Sequence, residues 1–289
     1  MTASPEPLAA DWRTEIDYAA DDCGVVLSAS GDVYIRLAEQ AAASVRATNP
    51  GLRVDLFCDG EATPGVFDEV HVLSRSFFRP KFEAALRSRF QRTLLIDVDL
   101  VLTADVSDMF WVLNKYDLAA CQVQNRNQRF ANRFWRRSFP NAFPQMNGGV
   151  IAFRRNEKTT RFFEDWQYLV AEVRKGGADQ PVLRELLWES DLTVHVLPEE
   201  YNLRKHERLY TSNWTVPAPR ILHSQRFVRN AKAGKDISPR GVYGWPFMAL
   251  LRNQIRGDKQ LTSDGERAET RLGAGLRRRL FGGASRTSS

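Results

Sequence analysis

Apolar residues along this chain recur with two different periods, and the alternation between them predicts the architecture. Short unbroken apolar runs at residues 24–30 (GVVLSAS), 54–58, 67–73 and 94–96 read as strands, because a parallel strand covered on both faces has no polar side to show. Between them lie stripes at helical spacing. Leu37, Ala38, Ala41, Ala42 and Val45 form one, stopped by Asn49-Pro50-Gly51. Phe82, Ala85, Leu86 and Phe90 form another, immediately ahead of the run at 94–96. A short helix is expected from Asp108, strands at 118–123 and 150–153, and an amphipathic helix carrying Phe162, Phe163, Trp166, Leu169, Val170 and Val173 up to Gly176-Gly177. Asp179 is placed to cap the next helix, with Pro181 in its first turn and Leu183, Leu186 and Leu187 facing inward. Late strands follow at 193–197 and 220–223. Strands alternating with helices predict an α/β fold: one Rossmann-like domain with a mostly parallel central sheet flanked by helices. Residues 1–21 read as a loose leader, 22–230 as the domain and 231–289 as a C-terminal extension. Periodicity weakens after Arg229, and the composition beyond Gly257 is that of a mobile basic tail.

The stretch from Thr93 to Thr103, TLLIDVDLVLT, carries the first chemistry. Leu94, Leu95 and Ile96 run directly into two carboxylates, Asp97 and Asp99. Open α/β sheets bind ligands just beyond the carboxyl ends of their strands. On a straight strand two residues separated by one share a face but sit a full pleat repeat from each other, so the two carboxylates converge on one ion only if the backbone turns there. Hard oxygen donors of this kind suit Mg²⁺ or Mn²⁺ together with a substrate's phosphates. Solvated loop acids or helix caps are the plainer alternative for such a short motif.

Further motifs, in order, give the chain a resemblance to the GT-A type nucleotide-sugar transferases, above all to the family 8 glycosyltransferases of the glycogenin-like and bacterial galactosyltransferase-like group. It covers residues 24–223. A neighbouring family, the nucleotide-diphospho-sugar transferases, shares most of the same motifs. The resemblance implies that the end of the first strand, with Ser28 and Ala29, holds the nucleotide base, and that Lys81 contacts the donor. Asp97 and Asp99 match the metal-binding D-x-D, and His223 the late histidine that completes the metal site. Asn147-Gly148-Gly149 resembles the strand start that lines the sugar pocket, although a tight turn would use the same glycines. Asp179-Gln180 matches the acidic-Gln pair beside the reacting sugar, where Asp179 would stabilise a cation-like centre or Gln180 would position it. Tyr34 is open to stacking on the base or to packing in the core. The chain departs from the family after His223, where Ser224–Arg229 replace a Gly and Lys-Pro-Trp segment and leave Arg226 or Arg229 to meet the diphosphate. The implied activity is metal-dependent transfer from a nucleotide-diphosphate sugar, a UDP-sugar, with retained configuration, to a glycan or lipid-linked acceptor, using Mn²⁺ or Mg²⁺.

Composition sharpens the compartment more than the activity. The 289 residues are ordinary for a globular protein, and no apolar run reaches the roughly 20 residues that span a bilayer. The amino terminus is polar and acidic, without a secretory pattern. Cys23, Cys58 and Cys121 are odd in number, far apart and set in apolar runs, as reduced core thiols are. A cytoplasmic protein is expected. The net charge of +6 is uneven: five arginines and no acid follow residue 270, and five more lie among aromatics at 125–137. On a helix, Phe130 and Phe134 with Arg129, Arg133, Arg136 and Arg137 would make an apolar and basic surface. That surface, helped by Arg277, Arg278, Arg279, Leu280 and Phe281, suits an anionic or lipid-linked acceptor or peripheral contact with an anionic membrane face. No nucleic-acid-binding motif is present. Two rival functions remain at this level. Asp97-Val98-Asp99 also fits the nucleophile motif of haloacid-dehalogenase-type phosphatases, although it falls late in the chain and no later acidic Mg²⁺ motif follows. A catalytically silent nucleotide-sugar-binding module is the other. A nucleotidyltransferase would need a Gly-rich basic loop after the first strand, and none is there.

Overall fold

The run ahead of Asp97 forms strand β4 (Arg92–Ile96) in a computed structural model that describes residue 18 and residues 22–74, 79–175, 177–211 and 216–261. The leader, Tyr18 apart, and the basic end of the tail with residues 277–281 lie outside the described residues. Leu94 and Ile96 enter the core on one face of the sheet and Leu95 on the other, as a period of two requires. β4 runs parallel to β1 (Cys23–Ala29), β1 to β2 (Arg53–Cys58), and β2 to the edge strand β3 (Glu69–Val72). On its other side β4 is antiparallel to β7 (Met146–Arg154). β7 is antiparallel to β6 (Leu118–Gln122), and β6 parallel to β8 (Val194–Leu197). The seven strands lie in the order β3-β2-β1-β4-β7-β6-β8. β7 alone is reversed, because residues 124–145 return the chain from β6 without the crossover helix that a parallel pair needs.

Helix α1 (Asp32–Thr48) covers one face with Ile35, Leu37, Ala38, Ala41, Ala42 and Val45. Helices α2 (Lys81–Leu86), α4 (Glu157–Tyr168) and α5 (Gln180–Glu189) cover the other. α3 (Asp108–Val112) adds Met109 and Phe110 to the α1 side. Three details differ from the sequence-based expectation. α2 ends at Leu86, so Phe90 is buried from the following loop and not from a helix. It lies against Gly24, where any Cβ would collide with its ring. The long amphipathic stripe continues past Tyr168 as a π-helical turn, Leu169–Val173, which leaves Val173 half exposed. Residues 100–102, given no element by the pattern, form β5 (Leu100–Leu102) and pair antiparallel with β9 (Ile221–His223) in a separate two-stranded sheet. Beyond α6 (Arg208–Thr211), helix α7 (Gln225–Lys232) runs through residue 230. After α8 (Pro239–Tyr243), α9 (Trp245–Gly257) returns Phe247 and Leu251 to the core on the α1 side. Among the described residues no helix is long and apolar enough to cross a membrane.

The Arg- and Phe-rich insertion is not the helix that Phe130 and Phe134 suggested. A four-residue 3₁₀ turn, Arg129–Asn132, is its one regular piece. α5 holds the rest. Arg184 donates to the carbonyls of Pro140 and Phe143, and buried Glu185 accepts both the backbone N–H and the guanidinium of Arg136. Phe139 and Phe143 pack edge-on or tilted about Trp188. Arg137 is paired with Glu189, and Phe134 stays 58% exposed. Tertiary partners fix this backbone more strongly than any local helical preference.

The far end of the sheet is tied by one buried carboxylate. Asp117 accepts hydrogen bonds from the Thr193 N–H and hydroxyl, from Arg154 and from Asn156, joining the starts of β6, β8 and α4. Burial alone would raise its pKa, but these four donors outweigh it and lower the value to about 2. The sign follows: stability from a depressed carboxylate is present above its unfolded value near 4 and is lost as the pH falls through about 2. Asp117→Asn is expected to cost about 1–2 kcal/mol at pH 7, allowing for solvent screening. Chemical denaturation should show that difference shrinking steadily below about pH 4.

Candidate active site

At the carboxyl end of β4 the chain leaves the main sheet for the small one, and it does so between the two aspartates. The Asp97 N–H donates to Gly149 O of β7 at 2.8 Å, while Asp99 O accepts the Ser224 N–H at 2.9 Å. Val98 between them turns into the core. This crossing is the turn that convergence required. β5 then pairs with β9 so that Leu100 stands opposite His223. Carboxylate oxygens of Asp97 and Asp99 and a ring nitrogen of His223 lie within 4.8 Å of one another.

A buried amide chain decides which nitrogen of His223 faces the acids. Asn147 Oδ1 accepts from the Gly149 N–H at 2.9 Å and from Asn202 Nδ2 at 3.0 Å. Asn202 therefore presents its Oδ1 to His223 Nδ1, at 2.9 Å, and accepts a hydrogen bond from the Nδ1–H there. Nε2 is left facing Asp99 Oδ1 at 3.1 Å, to donate to the carboxylate when protonated or to offer a lone pair when neutral. Two acceptors at that distance repel unless a proton or a cation lies between them. A divalent ion fits this donor set of two carboxylates and one imidazole whose tautomer is held from behind. For Asp99, burial works to raise the pKa, but the His223 ring and Arg204 prevail and hold it below the usual carboxylate range. Asp55, Glu69 and His71 also cluster, but there a two-point ion pair from Arg89 already occupies both oxygens of Asp55.

Lys81 opens α2 and is buried against the same centre. Its ammonium lies 2.9 Å from Asp179, 3.8 Å from Asp97 and 3.0 Å from Gly148 O, and 5.5 Å above the Trp166 ring. Burial would push its pKa down, but Asp179 and then Asp97 raise it above the ordinary lysine value. Asp179 moves the opposite way. Burial opposes its charge, but Lys81 and Arg79, whose Nε is 3.6 Å away, lower its pKa. Asp179 occupies the N-cap position of α5, yet its side chain caps nothing. The expected cap is replaced by this ion pair, because two neighbouring cations attract the carboxylate more strongly than backbone N–H groups do. Gln180 follows it, and its Oε1 accepts from Gln145 Nε2 at 3.0 Å.

Asn147, Gly148 and Gly149 lie inside β7 and not in a tight turn. Neither glycine has a left-handed backbone, so space is their reason. A Cβ on Gly149 would collide with His223 Cε1 and come within 2.8 Å of Asp97 Oδ2. One on Gly148 would sit 3.3 Å from Lys81 Nζ and from Trp166.

These groups line one open cleft of about 1170 Å³, which also takes in Ser28, Ala29, Tyr34 and Arg226. Tyr34 packs on the core, and the residue also lines the cleft, with Lys232 Nζ 5.6 Å over its ring. Asp59 closes the loop after β1 by accepting from Ser30 and from the Gly31 N–H, which hold it below the usual range. The structure adds Arg79, Gln145 and Asn202, which sequence reasoning missed. None lies in a motif, and Asn202 meets His223 only because β9 returns beside it.

The model of the nucleotide-diphospho-sugar transferase family matches residues 55–227 of this chain. No curated protein matches the sequence. Among solved structures, the glycosyltransferase GlyE of Streptococcus pneumoniae TIGR4 is similar with a TM-score of 0.51 at 19% identity, over 80% of this chain and 63% of GlyE. The chain thus spans less than two thirds of GlyE's length. The galactosyltransferase LgtC, solved with donor and acceptor sugar analogues, has a TM-score of 0.51 at 13% identity, over 80% of this chain and 96% of LgtC. At these identities the likeness is one of fold, and it is the fold expected, an α/β GT-A sheet.

Gly149→Ala separates local crowding from folding. Mn²⁺ affinity, read by isothermal titration, is expected to fall by about 10–100-fold, the scale of a disturbed ligand shell. The far-UV circular dichroism should stay unchanged. Undiminished Mn²⁺ binding would show that His223 and Asp97 do not act together.

Proposed function

The chain belongs to the nucleotide-diphospho-sugar transferase family, and from that premise we propose that it moves a sugar from a nucleoside-diphosphate donor, a UDP-sugar, to a hydroxyl of a glycan or lipid-linked saccharide. One observation carries the reading. Asp97, Asp99 and His223 converge at the strand end, directly beside the Lys81–Asp179 pair and the uncluttered backbone of Gly148 and Gly149. Breaking a sugar–phosphate bond leaves a diphosphate of growing negative charge beside a cation-like sugar carbon, and the cleft offers complementary charge to both.

Asp97, Asp99 and His223 would hold Mn²⁺ or Mg²⁺, which supplies Lewis-acid stabilisation of the departing diphosphate. The chain's own residues do the rest. Arg226 and Arg229, on the cleft side of α7, meet phosphate oxygens in place of the family's Lys-Pro-Trp segment. Ser28, Ala29 and Tyr34 border the base. The glycines let the sugar lie against β7, and the Gln145 bond fixes the orientation of the Gln180 amide. Asp179 is stabilised as an anion by Lys81 and Arg79, so it is a weak base. That suits electrostatic support of the sugar centre better than proton removal from the acceptor, and it supports a retaining course. Three buried free cysteines support a reducing compartment, the cytoplasm. The family match leaves no ground for the phosphatase alternative.

Isothermal titration with UDP tests the reading. Binding should require Mn²⁺ and fall at least about tenfold, or ~1.4 kcal/mol, in Asp99→Ala. Metal-independent binding, or none to any nucleoside diphosphate, would sink it. Asp179→Asn should keep UDP affinity while slowing donor hydrolysis by on the order of 10²-fold. Equal losses in binding and rate would make Asp179 a binding group instead.

A further inference from the structure

The cleft carries more positive charge than a nucleotide-sugar donor uses. Lys81 is neutralised by Asp179, and a divalent ion would be neutralised by Asp97 and Asp99. Five further cations, Arg204, Lys205, Arg226, Arg229 and Lys232, line the cleft and make no salt bridge among the described residues, although Arg204 still acts on Asp99 through space. The donor brings one charge on each of two phosphoryl groups. Three of the five sit on α7 at intervals of three residues, with Phe227 and Ala231 buried on its other side. They run from the metal cluster, which α7 adjoins at Ser224, to the ring of Tyr34. That stripe follows the nucleotide. Arg204 and Lys205 lie elsewhere, on the loop after residue 202, which faces the cleft with Gln124 and Asn125.

This loop is built and held. Gln124 Oε1 accepts the backbone N–H groups of both Arg204 and Lys205 at 3.0 Å, while its Nε2 donates to Asn202 O at 3.3 Å. Both residues are half-buried on the cleft lining. In the insertion the opposite holds, since Arg136 and Arg137 are spent on Glu185 and Glu189. Unpaired cations kept half out of water are an unfavourable arrangement that an anionic ligand relieves.

We propose that the acceptor is an anionic saccharide, a sugar phosphate or a uronic acid, whose charge is met by Arg204 and Lys205 on the loop after residue 202. The inference rests on the donor-site reading above and names its second substrate.

The test loads the full chain with UDP and Mn²⁺ and titrates glucose 6-phosphate, glucuronate and glucose in separate arms. At least one acidic sugar should bind tenfold or more tighter than glucose, and whichever arm responds tells phosphate from carboxylate. The doubly substituted Arg204→Ala, Lys205→Ala chain should lose that preference, tenfold or more, while its UDP–Mn²⁺ affinity changes by a clearly smaller factor. Its fold is protected, because the loop is held through backbone groups. The charge-keeping Arg204→Lys, Lys205→Arg chain should retain the preference. Equal binding of glucose and both acids, or no binding of any, with UDP–Mn²⁺ binding intact, would overturn the inference alone. A parallel loss of UDP affinity in the alanine chain would assign both cations to the donor and overturn it too. Absence of UDP–Mn²⁺ binding in the unsubstituted protein would overturn the donor reading and this inference with it.

Discussion

The site depends on one backbone crossing. Between Asp97 and Asp99 the chain passes from the seven-stranded sheet to the β5–β9 ladder, each aspartate pinned by a main-chain hydrogen bond to a different sheet. Had β4 continued straight, its alternation would have sent the two carboxylates to the same face but a full pleat repeat apart, with no histidine between them. Pairing with β9 also brings in His223, more than a hundred residues away in sequence. One short ladder thus turns two neighbouring acids into a three-sided cluster.

Around that cluster the fold keeps charges where water would otherwise be the better solvent. Burying a carboxylate or an ammonium is unfavourable unless a partner and hydrogen bonds replace the lost hydration. Asp179 and Lys81 answer one another, and their opposed pKa shifts are the mark of it, with Arg79 a second cation beside Asp179. Asp99 answers His223. The amides of Asn147 and Asn202 pass directionality inward from the Gly149 N–H to the imidazole. Asn147 Nδ2 stays buried without a partner among the described residues, a donor left over at the edge of a cleft. A polar network so complete on its protein side and incomplete on its cleft side is arranged for a ligand.

Sequence pattern was a good guide wherever the physics was local. The strand runs, the α1 stripe and the strand-to-D-x-D junction all formed as expected, because burial on two faces selects apolar residues at a fixed period. It misjudged the elements whose shape is imposed from outside. The insertion's Phe130–Phe134 spacing suggested a helix, but Arg184 and Glu185 of α5 hold that backbone open. Asp179 read as a helix cap, but Lys81, 98 residues earlier in the chain, meets its carboxylate while also donating to the Gly148 carbonyl. Gly148 and Gly149 also admitted a plainer reading as a tight turn. Their real constraint is the space beside His223, Asp97 and Lys81.

The amino-acid sequence by itself determined the α/β class, the order of its elements, the acids at the end of β4 and the family to which the chain belongs, since all of these are written as local periods or short ordered motifs. Only the tertiary structure decided that β7 runs backwards, that β5 leaves the main sheet, which nitrogen of His223 faces Asp99, and that Arg204 and Lys205 make no salt bridge among the described residues. Those outcomes turn on pairings between distant segments. The free energy of such a pairing belongs to two stretches of chain at once, and neither stretch records it alone.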